Sequence, residues 1–299
     1  MTPTDASGGR WFALLQYLLP QLLMSRLVGA LARVRFAGLR RPLIAGFMRA
    51  YRPEMADALE PDPQAYQSFN AFFTRQLRAG ARPSSPSSRA IDSPVDGRIS
   101  ALGTSREGRL LQAKGRDYTL RALLAGNEAL CAHLAGGAYM TIYLAPYNYH
   151  RIHMALAGTL SGAWYVPGRL FSVNDTTARH VPGLFARNER VILQFDSQAG
   201  PHALVLVGAL FVGSMGTVWH GDIAPRRARG AIALPVPSGA VAAPLARGAE
   251  LGRFNMGSTV ILLLPPGAAG WDAALACGST LRVGQRLGEL DARTAPGSP

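Results

Sequence analysis

A serine that follows a glycine can attack the peptide bond between them, and Gly257-Ser258 stands where such an attack would be useful. It lies in Leu251-Gly252-Arg253-Phe254-Asn255-Met256-Gly257-Ser258-Thr259-Val260, which runs on into Ile261-Leu262-Leu263-Leu264. The Ser258 hydroxyl attacking the Gly257 carbonyl shifts the acyl group from nitrogen to oxygen. Glycine suits that position because it has no Cβ to obstruct attack and tolerates strained backbone. The same tripeptide recurs at Gly278-Ser279-Thr280, so the residues that follow must separate the two. After Ser258 comes Thr-Val-Ile-Leu-Leu-Leu, which reads as a fully buried strand able to hold a new chain end. After Ser279 the chain is broken by charge and glycine. Ser258 is the better candidate for self-cleavage.

Such a reaction needs a base for the serine proton and a carboxylate to orient that base. Two of the six histidines lie in Tyr149-His150-Arg151-Ile152-His153. In an extended segment their side chains point to opposite sides, whereas a turn brings both to one cavity. Ala145-Pro146-Tyr147 just ahead is a turn signal after a strand, which fits a functional loop. The candidate carboxylate is Asp96, in the Ser93-Pro94-Val95-Asp96-Gly97 turn.

The elements that must position these groups read as a β-rich body behind a helical leader. With 299 residues, 48% of them hydrophobic, the chain can bury a large core, and 33 Gly and 21 Pro punctuate it with turns. Strands are predicted at Arg98–Leu102, Tyr139–Leu144, Arg190–Phe195, Ala203–Phe211 and Thr259–Leu264, and the Pro/Ser-rich stretch from Arg82 to Ser88 is a linker. Residues 11–19 and 21–36 read as helices separated by Pro20, with Arg26 and Arg33 on one face. Pro42 suits the first turn of a third helix. The fold class is therefore α+β: a mostly antiparallel core from 89 to 299 and an N-terminal helical membrane-associating segment with its linker from 1 to 88.

The net charge of +13 rests almost wholly on arginine, since Lys114 is the one lysine. No nucleic-acid motif accompanies it, so no nucleic-acid partner is expected. Residues 1–52 combine eight arginines with apolar residues and one acid, Asp5, which favours an anionic membrane surface. No uncharged apolar stretch reaches the roughly 20 residues of a membrane span; the best candidate, Trp11 to Ser25, is too short and is interrupted by Gln16, Pro20 and Gln21. A signal peptide is the rival reading, with Ala30-Leu31-Ala32 resembling a cleavage site, but Arg26 intrudes ahead of it. Cys131 and Cys277 lie far apart and suggest no disulfide framework, which fits a reducing compartment. No metal site is expected.

Taken in order, these pieces resemble the bacterial phosphatidylserine decarboxylase family. The resemblance is carried by Ser93-Pro94-Val95-Asp96-Gly97, Leu111-Gln112-Ala113-Lys114-Gly115 and Tyr149-His150-Arg151-Ile152-His153-Met154. It continues through Tyr165-Val166-Pro167-Gly168, Leu170-Phe171-Ser172-Val173-Asn174 and Leu184-Phe185-Ala186-Arg187-Asn188-Glu189-Arg190. Gly213-Ser214, Thr217-Val218-Trp219 and the segment around Gly257-Ser258 complete it. It implies a β-sandwich-like core and Asp96, His153 and Ser258 as a self-cleavage triad. Oxygen acylation, β-elimination and loss of ammonia would leave a pyruvoyl group on Ser258. The products would be a β chain, 1–257, and an α chain, 258–299, that stay associated. The ketone would take up the electron pair as phosphatidylserine loses carbon dioxide to give phosphatidylethanolamine, with His150 and His153 for the proton steps. The resemblance also suggests a homodimer and a peripheral position on the cytoplasmic face of the cell membrane. Asn148, Ala155 and Asp175 depart from the family pattern, standing where Asp, Pro and His are usual.

Three rivals remain. A pyridoxal phosphate enzyme needs a Schiff-base lysine, for which Lys114 is the only choice, and no phosphate cradle accompanies it. An Asp-His-Ser serine hydrolase acting on lipids is the alternative, although the Gly-x-Ser-x-Gly elbow is absent at Ser258. A non-catalytic membrane-binding module is the third.

Overall fold

The computed structural model describes residues 4–113, 115–211, 214–237 and 244–291. Lys114 therefore lies outside the described residues. The body is built on an eight-stranded sheet in the order β12-β7-β8-β9-β14-β5-β2-β16. Its strands are β2 (Gly97–Thr104), β5 (Ala138–Tyr143), β7 (Gly158–Val166), β8 (Arg190–Ser197), β9 (Gly200–Val207), β12 (Ile232–Ala233), β14 (Thr259–Leu263) and β16 (Thr280–Leu281). A four-stranded sheet, β11-β10-β13-β6, uses β6 (Arg151–His153), β10 (Met215–Thr217), β11 (Gly221–Ile223) and β13 (Glu250–Phe254). A three-stranded sheet, β1-β17-β15, joins β1 (Ala90–Asp92), β15 (Ala269–Trp271) and β17 (Arg286–Leu290). A hairpin of β3 (Arg109–Ala113) and β4 (Arg116–Thr119) completes the strands. All the strand pairings among the described residues are antiparallel, as expected for a chain punctuated by glycine and proline.

The large sheet is buried on both faces, and β14 shows why its sequence is an unbroken apolar run. Val260, Leu262 and Leu264 join one core cluster, which also contains Ile152, Met215, Leu251 and Phe254 from the four-stranded sheet and Leu287 from the three-stranded one. Ile261 and Leu263 point the other way, into a second cluster with Leu110 and Tyr118 of the hairpin and Leu123, Leu130 and Phe185 of short helices. Those helices are α5 (Leu120–Leu123), α6 (Glu128–Leu134), α7 (Asp175–His180) and α8 (Leu184–Arg187). A strand with polar residues on alternate positions would strand a side chain in one of these cores. Each buried β14 side chain contributes roughly 1.5–3 kcal/mol by removal from water.

The N-terminal region forms α1 (Thr4–Leu18), α2 (Gln21–Ala32) and α3 (Ala37–Tyr51), followed by the short α4 (Phe69–Phe73). Pro20 breaks α1 from α2 as expected, and the two helices meet at 89°. The third helix starts five residues earlier than Pro42 suggested, so Pro42 lies inside it. The first two helices turn polar side chains inward. Gln16 accepts from Ser172 N at 2.8 Å, Gln21 from Leu170 N at 2.9 Å and Ser25 from Phe211 N at 3.2 Å. Arg26 and Arg33 also reach the body, donating to Pro225 O at 3.0 Å and Ser214 Oγ at 2.8 Å. Their shared face is thus turned toward protein carbonyl and hydroxyl acceptors. The apolar residues face out: Trp11 is 68% exposed and Leu18 83%.

Candidate active site

Ser258 enters β14 between two hydrogen-bonded neighbours, since Thr259 pairs with Tyr143 on β5 and Val207 on β9. Its carbonyl accepts from Leu144 N at 2.9 Å, so the backbone around the Gly257-Ser258 bond is held from β5. The side chain is fully buried, and its hydroxyl has no hydrogen-bond partner. An unsatisfied buried hydroxyl costs roughly 1–3 kcal/mol, so its retention calls for a reason.

His150 supplies the complementary orphan. Its Nδ1 pairs with Asn148 O at 2.8 Å, which makes Nδ1 the donor and leaves Nε2 as an acceptor. Nε2 is buried and unpartnered, and it lies 3.6 Å from where a Cβ on Gly257 would sit. Phe73 of α4 packs over the imidazole at 4.1 Å between ring centres. Burial pushes the His150 pKa down to about 3, with the Arg75 charge adding to the effect, so the ring is neutral. The loop leading to it closes on itself, because Asn148 Oδ1 accepts from Ala145 N at 2.8 Å. This turn is what the Ala145-Pro146-Tyr147 signal announced.

His153 sits on β6, half-buried, with different partners. Its Nδ1 donates to Gly248 O at 2.9 Å, and its Nε2 accepts from Tyr149 Oη at 3.1 Å. Burial, helped by the Arg151 charge, holds its pKa below the usual histidine value, against the opposing effects of the Gly248 hydrogen bond, Glu250 and Asp96. Asp96 is anchored beside it through the backbone, since His153 N donates to Pro94 O at 2.8 Å. The Asp96 carboxylate itself accepts from Arg82 at 2.7 Å and from Val283 N at 2.8 Å. The structure thus brings His150 to the Gly257-Ser258 bond and sets Asp96 within electrostatic reach of His153. Neither the Asp96 carboxylate nor the His153 ring hydrogen-bonds the other in this state.

Sequence reasoning missed several residues that shape the site. Arg82 was read as part of a linker, and no local pattern marked it as the partner of Asp96. Phe73, Gly248 and the Tyr149 hydroxyl likewise act only across the fold. Asn255, three residues ahead of Ser258, donates to Ser214 Oγ at 2.5 Å and accepts from Asn70 at 3.1 Å, which ties the segment before the bond to α4. The departures are absorbed locally. Asn148 and Asp175 line one cavity of about 300 Å³, and Ala155 accepts from Asp92 N at 3.0 Å, a bond that proline could also accept.

Beside the bond, Met256 lines an apolar groove of about 410 Å³. Its walls are Val28, Leu31, Pro42, Phe47 and Tyr51 of α2 and α3. The buried, orphaned Ser258 hydroxyl and its neutral imidazole neighbour fit conversion of this serine into a covalent group. A serine hydrolase gains nothing from a nucleophile sealed at 0% exposure inside a continuous strand.

Comparison with known proteins identifies the family. A family model described as phosphatidylserine decarboxylase matches residues 69–289, and one described as PSD matches residues 11–52. The phosphatidylserine decarboxylase proenzyme of Ectopseudomonas mendocina is 50% identical over 279 residues, covering 93% of this chain and 98% of that one. The proenzymes of Pseudomonas fluorescens and Pseudomonas aeruginosa are each 48% identical, over 93% of this chain and 97% and 96% of theirs. With most of its length matched by both kinds of comparison, this chain belongs to the phosphatidylserine decarboxylase family.

Proposed function

We propose that this chain is a self-processing carboxy-lyase that converts phosphatidylserine to phosphatidylethanolamine and carbon dioxide, and that Gly257-Ser258 is the bond it cuts in itself. The observation that carries the cleavage site is the pair of buried orphans, Ser258 Oγ and His150 Nε2, at this one glycine. Attack by Oγ on the Gly257 carbonyl breaks the C–N bond and leaves an ester. Loss of the Ser258 Cα proton then expels the Gly257 carboxylate, and hydrolysis with release of ammonia leaves a pyruvoyl group on residue 258. When formed, that group supplies a carbonyl electron sink for carbon dioxide loss from an amino-acid headgroup.

The proton roles divide between the two histidines. His153 is the base for self-cleavage, oriented with Asp96: it is the less desolvated ring, two carboxylates partly offset the lowering of its pKa by burial, and its Nε2 already accepts from a hydroxyl. Reaching Ser258 requires the Tyr149 hydroxyl to give up that nitrogen. His150, already facing residue 257, moves the proton at the reacting carbon during turnover. The Nε2 contact also favours a second reading, in which His150 takes the serine proton directly.

The products stay together because the strands interleave. The strand β14 lies between β9 and β5, β16 pairs with β2, and β17 pairs with β1. The exposed apolar faces of α1 and α2 lie on an anionic membrane surface at the cytoplasmic face, and the groove to Met256 admits acyl chains from it. No single helix among the described residues is long and apolar enough to cross a membrane. The active form is a homodimer, as the family resemblance implies. Intact-mass analysis tests the core of the proposal. Fragments 1–257 and 258–299 are expected, the smaller one blocked and lacking its N-terminal nitrogen. A free amino-terminal serine at 258 would defeat the pyruvoyl reading.

A further inference from the structure

A cavity of about 1020 Å³ among the described residues lies away from Ser258. It opens at the other end of α2, between that helix and the segments 167–170, 187–189 and 226–228, and shares no lining residue with the groove at Met256. Five arginines line it: Arg26, Arg169, Arg187, Arg226 and Arg227. None of the five makes an ion pair among the described residues. Arg26 donates to Pro225 O, Arg187 donates to Tyr17 Oη, and Arg226 stacks over the Tyr165 ring. Stacking and carbonyl contacts hold these side chains in place without neutralising them. Five like charges around one concavity repel, and a multivalent anion between them removes the repulsion.

Glu189 lies on the cavity wall, 1% exposed, and accepts from Tyr165 Oη at 3.1 Å through one oxygen only. Its other oxygen is buried with no partner. That atom is sealed from the cleft against Gly208, where an added Cβ would lie 2.9 Å from it. Burial raises the Glu189 pKa to about 7, so even its charge does not offset the arginines fully. The rim is apolar at Leu19, Leu22 and Leu23, and it continues into Leu18 and Leu27 on the exposed faces of α1 and α2.

We propose that this cleft is a second, non-catalytic phospholipid site, which binds a headgroup phosphate through the arginines. The adjoining leucines place the acyl chains of the same molecule in the lipid layer. The site shares with the preceding reading only the placement of α1 and α2 on a lipid surface, and it is independent of chemistry at Ser258. A bound lipid there fixes the position of α2, whose far end walls the groove to Met256.

Titration calorimetry with monomeric dihexanoyl phosphatidylglycerol on the full chain tests this. The double variant Arg169→Gln/Arg227→Gln removes two exposed cleft charges whose side chains make no hydrogen bond, so folding is preserved. It should weaken binding at least tenfold. Arg41→Gln/Arg49→Gln, with the same charge loss on α3, should change it less than twofold. Inorganic phosphate should bind the parent chain at least tenfold more weakly than the lipid. Equal losses in the two double variants would mean surface charge alone and overturn the proposal. Phosphate binding as tight as the lipid would assign the cleft to a free anion and overturn it too. Ser258→Ala should bind as the parent does, whereas a loss there would move the ligand to the processing site.

Discussion

The chain carries Gly-Ser-Thr twice, and the fold treats the two copies oppositely. Ser258 is sealed at the head of a central strand with neighbours on both sides, and its hydroxyl bonds to nothing. Ser279 is half-buried ahead of β16, an edge strand, and its hydroxyl accepts from Ala276 N at 3.1 Å. The glycines differ as well. Gly278 adopts φ +96°, a conformation L side chains avoid, whereas Gly257 has no such φ and its Cβ position meets nothing closer than 3.5 Å. One glycine is there for a turn, and the other leaves a carbonyl open to attack. The tripeptide carries no chemistry by itself. What sets Ser258 apart is a hydroxyl left without a partner near a neutral imidazole.

The largest effect that would break this contrast is a swap of serine roles. Ser258→Ala should abolish cleavage, leaving one 299-residue species on intact-mass analysis, while Ser279→Ala should cleave to completion. Processing that survives Ser258→Ala would place the cleaved bond elsewhere. Removing the base should make Ser258 as inert as Ser279. His153→Ala is expected to slow processing by about 10²- to 10⁴-fold, the usual worth of a positioned proton acceptor. His150→Ala should process, then fail in decarboxylation. The reverse outcome, an uncleaved His150→Ala chain and a cleaved His153→Ala chain, transfers the base to His150. At the glycines the effects are smaller and of different kinds. Gly278→Ala should cost about 1–3 kcal/mol in urea unfolding with cleavage unchanged, because a Cβ is strained at that φ. Gly257→Ala should leave stability nearly unchanged and slow cleavage by about tenfold, an order-of-magnitude figure for a misplacement at the reacting carbonyl.

The contrast also marks how far sequence can be read. The apolar run after Ser258 predicted a strand buried on both faces, and Thr259–Leu263 is one, because burial on two sides is written into residue type. The break at Pro20 was legible for the same local reason. The boundary at Pro42 was not, since α3 continues through it from Ala37. At the site, the serine, the two histidines and Asp96 were legible as residue types in marked turns. Their hydrogen bonds were not. Arg82 meets Asp96 across 14 residues and His153 meets Gly248 across 95, and no periodicity encodes such closures. The inward polar face of α1 and α2 escaped as well. Gln16 and Gln21 read as interruptions of an apolar stretch, whereas their side-chain oxygens accept from the backbone amides of Ser172 and Leu170, which lie far away in sequence.

The smallest effect separates the regions by proton binding. In the Ser258→Ala chain, His150 stays buried and neutral, with a folded pKa of about 3 against 6.5 when exposed. A depressed histidine favours the folded state fully above pH 6.5, and that advantage is lost as pH falls toward 3, because only the unfolded chain takes the proton. His202, held down to about 4 by burial, acts in the same direction, while Glu189, held up at about 7, acts oppositely between 4.5 and 7. These two are common to any pair of chains compared, so they cancel in a difference. Adding His150→Phe to Ser258→Ala should therefore flatten the fall in unfolding free energy between pH 6 and 4 by about 1.4 kcal/mol per pH unit. Ser279→Ala on the same background should leave that slope as it was. Equal slopes with and without His150 would mean that the ring takes up its proton in the folded chain. The imidazole beside Gly257 would then be hydrated and no longer poised as a neutral acceptor, and the contrast between the two serines would rest on Ser258 burial alone.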